Sequence, residues 1–325
     1  MNRRGVRMGK ICVIGSLNMD LIVRVERLPE AGETVGHGQF HTVPGGKGAN
    51  QALAAARSGG EVQMLGSVGT DEFGKTLVQN LATAGVETEL IRIVTNIPTG
   101  MAVILLEKGG GNRIIVIPGA NDSTDVDFLN QTWHQVERGS ILLLQHEIPA
   151  ETNQWIMEKA AESDCRVFLN PSPYAPLTNA MLARVDTLFV NEIEAEKMSG
   201  NKVESADTAI TAAELILNSG VQAVIVTLGS EGAVYCDGVE TLYQPVFDVV
   251  PVDTTGAGDT FIGAYAASVS AGQTIREALQ YASAAAALSV SRLGAQSSIP
   301  IRSEVEQFLK ASKSLSKNPE YSNSK

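Results

Sequence analysis

The sequence is poor in cysteine and aromatic residues, and it contains no long hydrophobic run. Its three cysteines, Cys12, Cys165 and Cys236, are far apart, and each lies next to a short apolar segment. They form neither a disulfide framework nor a CxxC metal site, so we predict three buried thiols in a reducing compartment. No apolar run approaches the ~20 residues that a membrane span needs, and the apolar segment after the basic N-terminus is too short for a signal peptide. These absences predict a cytoplasmic protein without membrane contact.

Positive charge is also scarce, since 25 Lys and Arg face 36 Asp and Glu and give a formal net charge of −11. This balance disfavours nucleic acid and anionic membranes as partners. Hydrophobic residues make up 44% of the 325 residues, which excludes a wholly disordered chain. We expect disorder only in residues 1–9 and in a tail over 310–325 that is rich in Ser, Lys and Asn. A folded domain over 10–309 remains.

Short β-branched segments alternate with helical patterns from Lys10 onward. The strand segments are ICVIG, EVQMLGSVG, SILLLQ, VFLN, TLFVN and AVIVTLG, and the helical patterns cover 50–58, 73–84, 152–161, 206–218, 258–271 and 274–291. This alternation predicts an α/β fold of βαβ units around a mainly parallel, twisted sheet. The segments 21–43 and 99–118 break the rhythm. We expect them to form a small second sheet that covers one edge of the main domain as a lid.

Several common catalytic fingerprints are absent. No GxGxxG motif follows a strand, and no GxxxxGK[ST] loop occurs. The chain also has no GxSxG elbow and no HExxH motif. Dinucleotide-binding Rossmann proteins, P-loop enzymes, α/β-hydrolases and zinc proteases of the HExxH type are therefore disfavoured.

The strongest motif is the glycine-rich segment DTTGAGDTFIG over 253–263, which passes from a turn into a helix. Free N–H groups at such a helix start form an anion cradle, and Gly256 and Gly258 let a phosphate approach the backbone. Asp259 lies in the first turn, where its carboxylate can accept a proton from a hydroxyl that attacks a γ-phosphoryl group. An isolated Asp here would only complement the helix dipole. The two glycines and Asp253 favour the functional interpretation.

Polar residues with a possible role in sugar binding occur in three further places. Asn18 and Asp20 follow the first strand and point the same way, which suits a polyol, although a simple turn explains them equally well. Lys47 and Asn50 share one face of the helix that PGGKGANQ opens, unless the glycines only end a strand and Lys47 is solvated. Glu147 ends a very apolar strand and either binds a sugar hydroxyl or is exposed.

Two weaker motifs suit a nucleotide. Asn191 and Glu194 lie in NEIE at a strand end, where Glu194 can reach Mg²⁺ through water. The segment TLGSEG, over 227–232, follows another apolar strand. Taken alone, Asn191 is a helix N-cap and Gly229 belongs to a plain turn.

Together and in this order, GSLNMD, PGGKGANQA, NEIEAEKMSG, TLGSEG, DTTGAGDTF and SRLGAQSS resemble the ribokinase-like carbohydrate kinases, the family that includes phosphofructokinase B and fructokinase. The resemblance covers residues 10–309. It implies a three-layer α/β/α domain with a mainly parallel central sheet of about nine strands and a small β-sheet lid. It also implies transfer of the γ-phosphoryl group of ATP to the 5-hydroxyl of D-ribose, which gives D-ribose 5-phosphate and ADP.

The resemblance further implies a set of site residues. Asp259 would be the general base, with the N–H groups of Gly256, Ala257 and Gly258 as the anion hole. The sugar would be held by Asn18, Asp20, Gly46, Lys47, Asn50 and Glu147. ATP would contact Asn191, Thr227, Leu228, Gly229, Ser230, Glu231, Gly232, Gly258 and Ser283, the last standing where several relatives have His or Asn. Glu194 would order Mg²⁺ through water, and a monovalent cation, expected to be K⁺, would lie at Asp253, Thr255, Ser289, Arg292, Gly294 and Ser298. We also expect a homodimer formed through the lid.

Other functions stay open at this point. The acceptor can be another small sugar, such as 2-deoxyribose or fructose, or a nucleoside. Only 5% of the residues are aromatic and Phe40 is the main candidate for stacking, so a nucleoside is the weaker alternative. A sugar-sensing protein without turnover belongs to a different class. Such a sensor is expected to have lost Asp259 or the glycines beside it, and both are present.

Overall fold

Helices and strands alternate along most of the chain. The computed structural model describes residues 9–108 and 112–315, and these residues form thirteen strands and ten α-helices. The strands are β1 (Ile11–Ile14), β2 (Asn18–Val25), β3 (Gln39–Gly45), β4 (Val62–Gly69), β5 (Ile91–Val94), β6 (Gly100–Glu107), β7 (Asn112–Ile117), β8 (Ile141–Gln145), β9 (Arg166–Asn170), β10 (Thr187–Asn191), β11 (Val224–Thr227), β12 (Ala233–Cys236) and β13 (Thr241–Gln244). The α-helices are α1 (Lys47–Arg57), α2 (Glu72–Thr83), α3 (Val126–Thr132), α4 (Ala150–Glu162), α5 (Asn179–Leu182), α6 (Glu192–Ser199), α7 (Ala206–Leu217), α8 (Ala257–Ser270), α9 (Ile275–Val290) and α10 (Arg302–Leu315).

The main sheet has nine strands in the order β13-β12-β11-β10-β9-β8-β1-β4-β5. The pairs from β11 to β5 are parallel, and only β12 and β13 add antiparallel pairs at one end. The mainly parallel sheet predicted from the sequence is therefore confirmed. Helices cover both faces, so the central strands are buried throughout, as parallel strands require.

Two hydrophobic clusters lie on opposite faces of this sheet. Along β1, Ile11 and Val13 belong to the cluster formed with α1, α2, α8, α9 and α10. Cys12 and Ile14 point the other way, into the cluster formed with α3, α4, α6 and α7. Alternation along one strand thus divides the core into two helix-covered layers, as in a three-layer α/β/α architecture.

Small residues let α1 and α8 approach each other closely. A Cβ atom at Gly263 of α8 would collide with the backbone oxygen of Gln51 and would lie 2.8 Å from the backbone nitrogen of Ala55. The close contact sets the first turns of the two helices side by side, next to the ends of the parallel strands. It therefore positions the residues of the candidate site.

The predicted second sheet is present, with strands in the order β3-β2-β6-β7. Strand β2 pairs antiparallel with β3 and parallel with β6, and β6 pairs antiparallel with β7 as the sequence pattern predicted. The turn between β6 and β7, at 109–111, lies outside the described residues. The sheet begins at Asn18 and β3 ends at Gly45. It therefore extends beyond the predicted segment 21–43 and includes both Asn18 and Asp20.

The predicted C-terminal boundary is wrong, because α10 continues past Lys310 to Leu315. Val305 is buried in the core, and Phe308 and Leu309 pack against it at helical spacing. The apolar face of α10 packs on the core and stabilises the whole helix. The helix therefore includes a polar last turn, for which composition alone predicted disorder. The predictions for residues 1–8 and 316–325 fall outside the described part of the chain.

The predicted burial of the cysteines is confirmed, since the thiols of Cys12, Cys165 and Cys236 are buried and free. The reducing compartment stays a prediction. Burial raises the pKa of the Cys12 thiol well above its ordinary value. Among the described residues, no helix is both long and apolar enough to span a membrane. The cytoplasmic location stays a prediction.

Candidate active site

A cleft of about 130 Å³ lies where the parallel strands of the main sheet end and the helices α1, α6 and α8 begin. Its walls bring together side chains from four of the motifs in the sequence: Lys47, Asn191 with Glu194, Thr227, and Asp259. Open α/β sheets bind ligands at this edge. The cleft is also lined by Asn170, Ser172, Phe189, Val190, Gly256, Gly258 and Ile262.

The glycine-rich turn places a buried carboxylate beside backbone N–H groups. Gly256 caps α8 with a φ of 75°, a left-handed conformation that glycine adopts without strain. Ala257 N–H donates to the Thr254 carbonyl at 3.2 Å, whereas Gly258 is exposed to the cleft. Asp259, in the first helical turn, is only 7% exposed. Of the three residues of the predicted anion hole, Gly258 is thus the exposed one.

Two amides hold the carboxylate of Asp259. Asn50 Nδ2 donates to Asp259 Oδ2 and Gln51 Nε2 donates to Asp259 Oδ1, each at 3.0 Å. Gln296 in turn donates from Nε2 to Asn50 Oδ1 at 3.0 Å, although it lies 246 positions away in the chain. Gln51 and Gln296 were not among the predicted site residues, because neither has a neighbour in sequence that indicates its partner.

The half-buried Lys47 provides positive charge at the start of α1. Burial lowers the pKa of Lys47, but attraction from Asp259, Glu147 and Glu194 outweighs burial and raises the pKa overall. The ammonium group therefore stays charged among three carboxylates. It is placed to neutralise negative charge in the cleft, and the alternative of a merely solvated Lys47 is not supported.

Glu147 has a structural contact in addition to its predicted role. Its Oε2 accepts hydrogen bonds from Ser16 Oγ at 2.5 Å and from the Lys47 backbone N–H at 3.0 Å. A carboxylate at the first amides of α1 complements the helix dipole. Glu147 is half-buried and paired, so the alternative of a freely exposed residue is wrong.

Asn18 and Asp20 lie on the first lid strand, next to the main domain. Asn18 is buried, and its Oδ1 accepts from Asn121 Nδ2 at 2.7 Å. The Asp20 carboxylate packs against Gly45, where any Cβ atom would collide with it. Burial, and then repulsion from Glu147 and Asp259, raises the pKa of Asp20 to about 7. The remaining predicted sugar residue, Gly46, is the N-cap of α1 with a φ of 89°.

The NEIE motif forms both a helix cap and part of the cleft wall. Asn191 Oδ1 accepts from the Glu194 N–H at 2.8 Å, and Glu194 Oε2 accepts from the Asn191 N–H at 3.0 Å. This reciprocal pair is a capping box, so the capping interpretation is confirmed. Glu194 is 5% exposed and still lines the cleft.

The remaining predicted nucleotide residues lie less close to the cleft. Thr227 lines it, whereas 228–232 form a turn with a short 3-10 helix over Gly229–Glu231. Tyr243 Oη donates to the Glu231 carbonyl at 2.7 Å and so fastens this turn to β13. Ser283 is buried in α9 and is not part of the wall formed by the described residues.

The residues predicted to surround a monovalent cation lie in two adjoining loops. Asp253 Oδ1 accepts from the Thr255 N–H at 2.9 Å, and its Oδ2 accepts from the Gly294 N–H at 2.9 Å. Burial raises the pKa of Asp253, but these hydrogen bonds outweigh burial and lower the pKa overall. The Arg292 guanidinium pairs with Glu304 at 2.7 Å.

Two serines complete this set. Ser289 Oγ and Ser298 Oγ are 2.8 Å apart and buried. Among the described residues, no group of three or more His, Cys, Asp or Glu side chains is placed to hold a metal ion. A cation here would therefore depend on backbone and hydroxyl oxygens together with one carboxylate.

The family model and the similar proteins of known function indicate the same family. The model of the pfkB family carbohydrate kinases matches residues 8–302, and the chain belongs to this family. It is 41% identical over 302 residues to the ribokinase of Bacillus subtilis, and the aligned region covers 93% of this chain and 100% of that protein. It is also 34% identical over 299 residues to the deoxyribokinase of Salmonella typhimurium, over 92% and 97% of the two chains. The family resemblance stated from the motifs is confirmed.

Solved structures agree with this assignment. The ribokinase of Thermotoga maritima has a TM-score of 0.84 and 39% identity, over 93% of this chain and 99% of that chain. The ribokinase of Arabidopsis thaliana, solved in complex with ribose and ATP, has a TM-score of 0.86 and 35% identity over the same shares. The protein thus has the ribokinase-like fold, with the large sheet, the helices on both faces and the small lid sheet.

Proposed function

We propose that this protein is a ribokinase, which transfers the γ-phosphoryl group of ATP to the 5-hydroxyl of D-ribose and forms D-ribose 5-phosphate and ADP. The observation that carries the proposal is Asp259, a buried carboxylate in the first turn of α8 beside the exposed, cleft-lining Gly258. The ribokinase relatives, and the Arabidopsis ribokinase with bound ribose and ATP, support the choice of substrates.

Asp259 acts in this proposal as the general base. Its carboxylate accepts the proton of the sugar hydroxyl while that oxygen attacks the γ-phosphorus. The amides of Gly256 and Gly258 face the negative charge on the phosphoryl oxygens, and the Lys47 ammonium adds to their field. The Ala257 amide joins them when it leaves the Thr254 carbonyl. Phosphoryl transfer needs mainly positioning and electrostatic stabilisation, and these groups supply both.

The sugar occupies the side of the cleft toward the lid. Asn18 and Asp20 on β2 and Asn50 on α1 do not line the cleft itself, and in this proposal they supply amide and carboxylate groups for hydroxyls next to it. Gly46, Lys47 and Glu147 complete the sugar side. ATP enters the other side of the cleft at Asn191, Thr227 and Gly258. In this proposal it extends beyond the cleft toward Leu228, Gly229, Ser230, Glu231, Gly232 and Ser283.

The chemistry of Glu194 fits Mg²⁺, which the relatives' use of ATP implies. Oε2 of Glu194 is engaged in the capping box, and Oε1 remains for a water of the ion. Mg²⁺ keeps several waters and prefers hard oxygen ligands. When bound with ATP, the ion would neutralise charge on the phosphates.

A monovalent cation is proposed beside the anion hole, at Asp253, Thr255, Ser289, Arg292, Gly294 and Ser298. It would fix the turn 254–258 and hold its N–H groups where charge develops. Activity is expected to rise when K⁺ replaces Na⁺ at constant ionic strength and saturating Mg²⁺. Asp253→Asn, measured in the same assay, should lose this response. Equal rates in the two cations would remove the cation from the proposal.

Ribose binding is expected to release a proton from Asp20. Its pKa of about 7 in the free protein leaves more than half of this carboxyl protonated below pH 7. Sugar hydroxyls that donate to the carboxylate favour the charged form and lower its pKa. The Kd for ribose should therefore fall as pH rises toward about 7 and level off above it. Calorimetry from pH 5.5 to 8.5 tests this, and an equally steep dependence in Asp20→Asn would contradict it.

A homodimer through the lid is proposed on the basis of exposed apolar residues. Ile114, Ile115 and Val116 on strand β7 and Phe40 on β3 are 49–63% exposed. Strands β3 and β7 are the two edges of the lid sheet, and exposed apolar residues on an edge strand favour pairing with a second copy. Analytical ultracentrifugation should give a dimer for the full chain and a monomer for Ile115→Lys. Ile93→Lys, at a similarly exposed site on β5, is the control, and a wild-type monomer would contradict the proposal.

A coupled assay of ADP release across pentoses, hexoses and nucleosides tests the function itself. Ribose is expected to give the highest kcat/KM. If fructose or a nucleoside gives a higher kcat/KM than ribose, that compound is the substrate instead of ribose. Sugar binding without ADP release would indicate a sensor and overturn the proposed activity.

A further inference from the structure

A chain of buried amides ends on the carboxylate of Asp259. Gln51 on α1 is 0% exposed and donates from Nε2 to Asp259 Oδ1 at 3.0 Å. Its Oε1 accepts from Nε2 of Gln145, which is also 0% exposed, at 2.7 Å. The backbone oxygen of Gln145 accepts from Asn153 Nδ2 at 2.8 Å, which fixes the end of β8. Asp259 is thus connected through two side chains to the centre of the main sheet.

The negative charge on Asp259 determines which side chain donates and which accepts in the hydrogen bonds between Gln145, Gln51 and Asp259. A carboxylate only accepts, so Gln51 must present its NH₂ group to Asp259 and its oxygen to Gln145. Gln145 must then present its own NH₂ group to Gln51. Its Oε1 is left buried without a hydrogen-bond partner among the described residues. An unpaired buried oxygen is unfavourable, so stability alone does not explain two glutamines at these positions.

Gln51 differs from Asn50, the other residue that holds Asp259. In the proposed function Asn50 contacts the sugar, and its amide can turn from Asp259 Oδ2 to a sugar hydroxyl. Neither residue is among those that line the cleft, but Asn50 keeps 7% of its surface exposed, whereas Gln51 is 0% exposed. It can therefore affect the reaction only through Asp259.

We propose that Gln51 is a positioning residue for the base: its amide holds Oδ1 of Asp259 so that Oδ2 is directed at the sugar hydroxyl, and Gln145 fixes the orientation of Gln51. The inference rests on the proposed role of Asp259 as base. Because a bound sugar takes Asn50 away from the carboxylate, Gln51 is then the side chain that still restrains its rotation.

Gln51→Met tests the proposal, because it keeps the length of the side chain and removes the donor. The kcat for ribose phosphorylation should fall about 10- to 100-fold, the usual range for losing a hydrogen bond to a charged group, while KM for ribose changes less than about twofold.

The double variant Gln51→Met/Gln145→Met separates positioning from stability. This variant removes the side-chain amides of both glutamines, so neither is left without its partner. Its thermal stability should therefore return toward that of the wild type while kcat stays low. Recovery of kcat together with stability would show a purely structural role and overturn the proposal. If Gln51→Met alone fails to fold, the double variant still gives this comparison.

Gln63→Met is the matched control. Gln63 is buried on β4 and donates to Glu87, another carboxylate, away from the cleft. Its kcat should equal that of the wild type. Wild-type kcat in Gln51→Met would overturn the inference and leave the proposed function intact. A wild-type protein without sugar-dependent ADP release would instead overturn the proposed function, and this inference with it.

Discussion

Replacing Asp259 by Asn is expected to lower kcat for sugar phosphorylation about 10²- to 10⁴-fold, the usual contribution of a general base, while the affinity for ribose changes little. Asn keeps the shape of the side chain but cannot accept the hydroxyl proton. Its NH₂ group also has to face one of two donors, Asn50 Nδ2 or Gln51 Nε2. Steady-state kinetics together with sugar binding by calorimetry separate the two quantities.

Asp207→Asn is the control for this substitution. Asp207 also lies in the first turn of a helix, α7, but it is exposed. If Asp259 merely complemented the helix dipole, both variants would lose a little stability and neither would lose activity. A kcat near that of the wild type in Asp259→Asn would therefore contradict the assignment of Asp259 as the base.

The local patterns in the sequence were sufficient to predict the layers of the fold. Apolar strands such as ILLLQ are buried on both faces, and the helical patterns over 73–84 and 206–218 match α2 and α7 to within one residue. These patterns depend on neighbouring residues. The tail beyond Leu309 was predicted wrongly because its helix is held by contacts of Val305 and Phe308 with a distant core.

The hydrogen-bond network around the candidate site was much harder to predict. Asn121 lies in a short 3-10 helix and donates to Asn18, 103 positions earlier in the chain. Gln145 donates to Gln51 across 94 positions. Single buried amides have no periodicity, and their partners depend on how strands and helices meet in space. Motifs predict the groups that touch ligands, whereas the groups that hold them require the structure.

Several predicted site carboxylates also support the backbone, which affects how their variants should be interpreted. Glu147 accepts from the first amide of α1, Glu194 belongs to a capping box, and Asp253 joins two loops. Removing any of them changes a helix start or a loop as well as a ligand contact. Asn18 and Asp259 are therefore the better residues for testing sugar recognition and catalysis separately.

Asn18 is expected to distinguish ribose from 2-deoxyribose. Its Oδ1 accepts from Asn121 Nδ2, which leaves its NH₂ group to donate to a sugar hydroxyl. If Asn18 and Asp20 bind adjacent hydroxyls, a sugar that lacks one of them leaves a buried polar group unpaired, at a cost of ~1–3 kcal/mol. Ribose should then exceed 2-deoxyribose in kcat/KM by roughly tenfold or more.

Asn18→Met tests this contact, because it keeps the approximate length of the side chain and removes both donor and acceptor. The variant should lose most of its activity with ribose, and the preference over 2-deoxyribose should narrow or invert. Asn130→Met, at an exposed position on α3, should keep the wild-type ratio. The similarity to a deoxyribokinase makes the ratio informative in the wild type as well. If Asn18→Met phosphorylates both sugars in the wild-type ratio, Asn18 does not recognise the sugar hydroxyl, and specificity has to come from Asp20, Asn50 or Glu147.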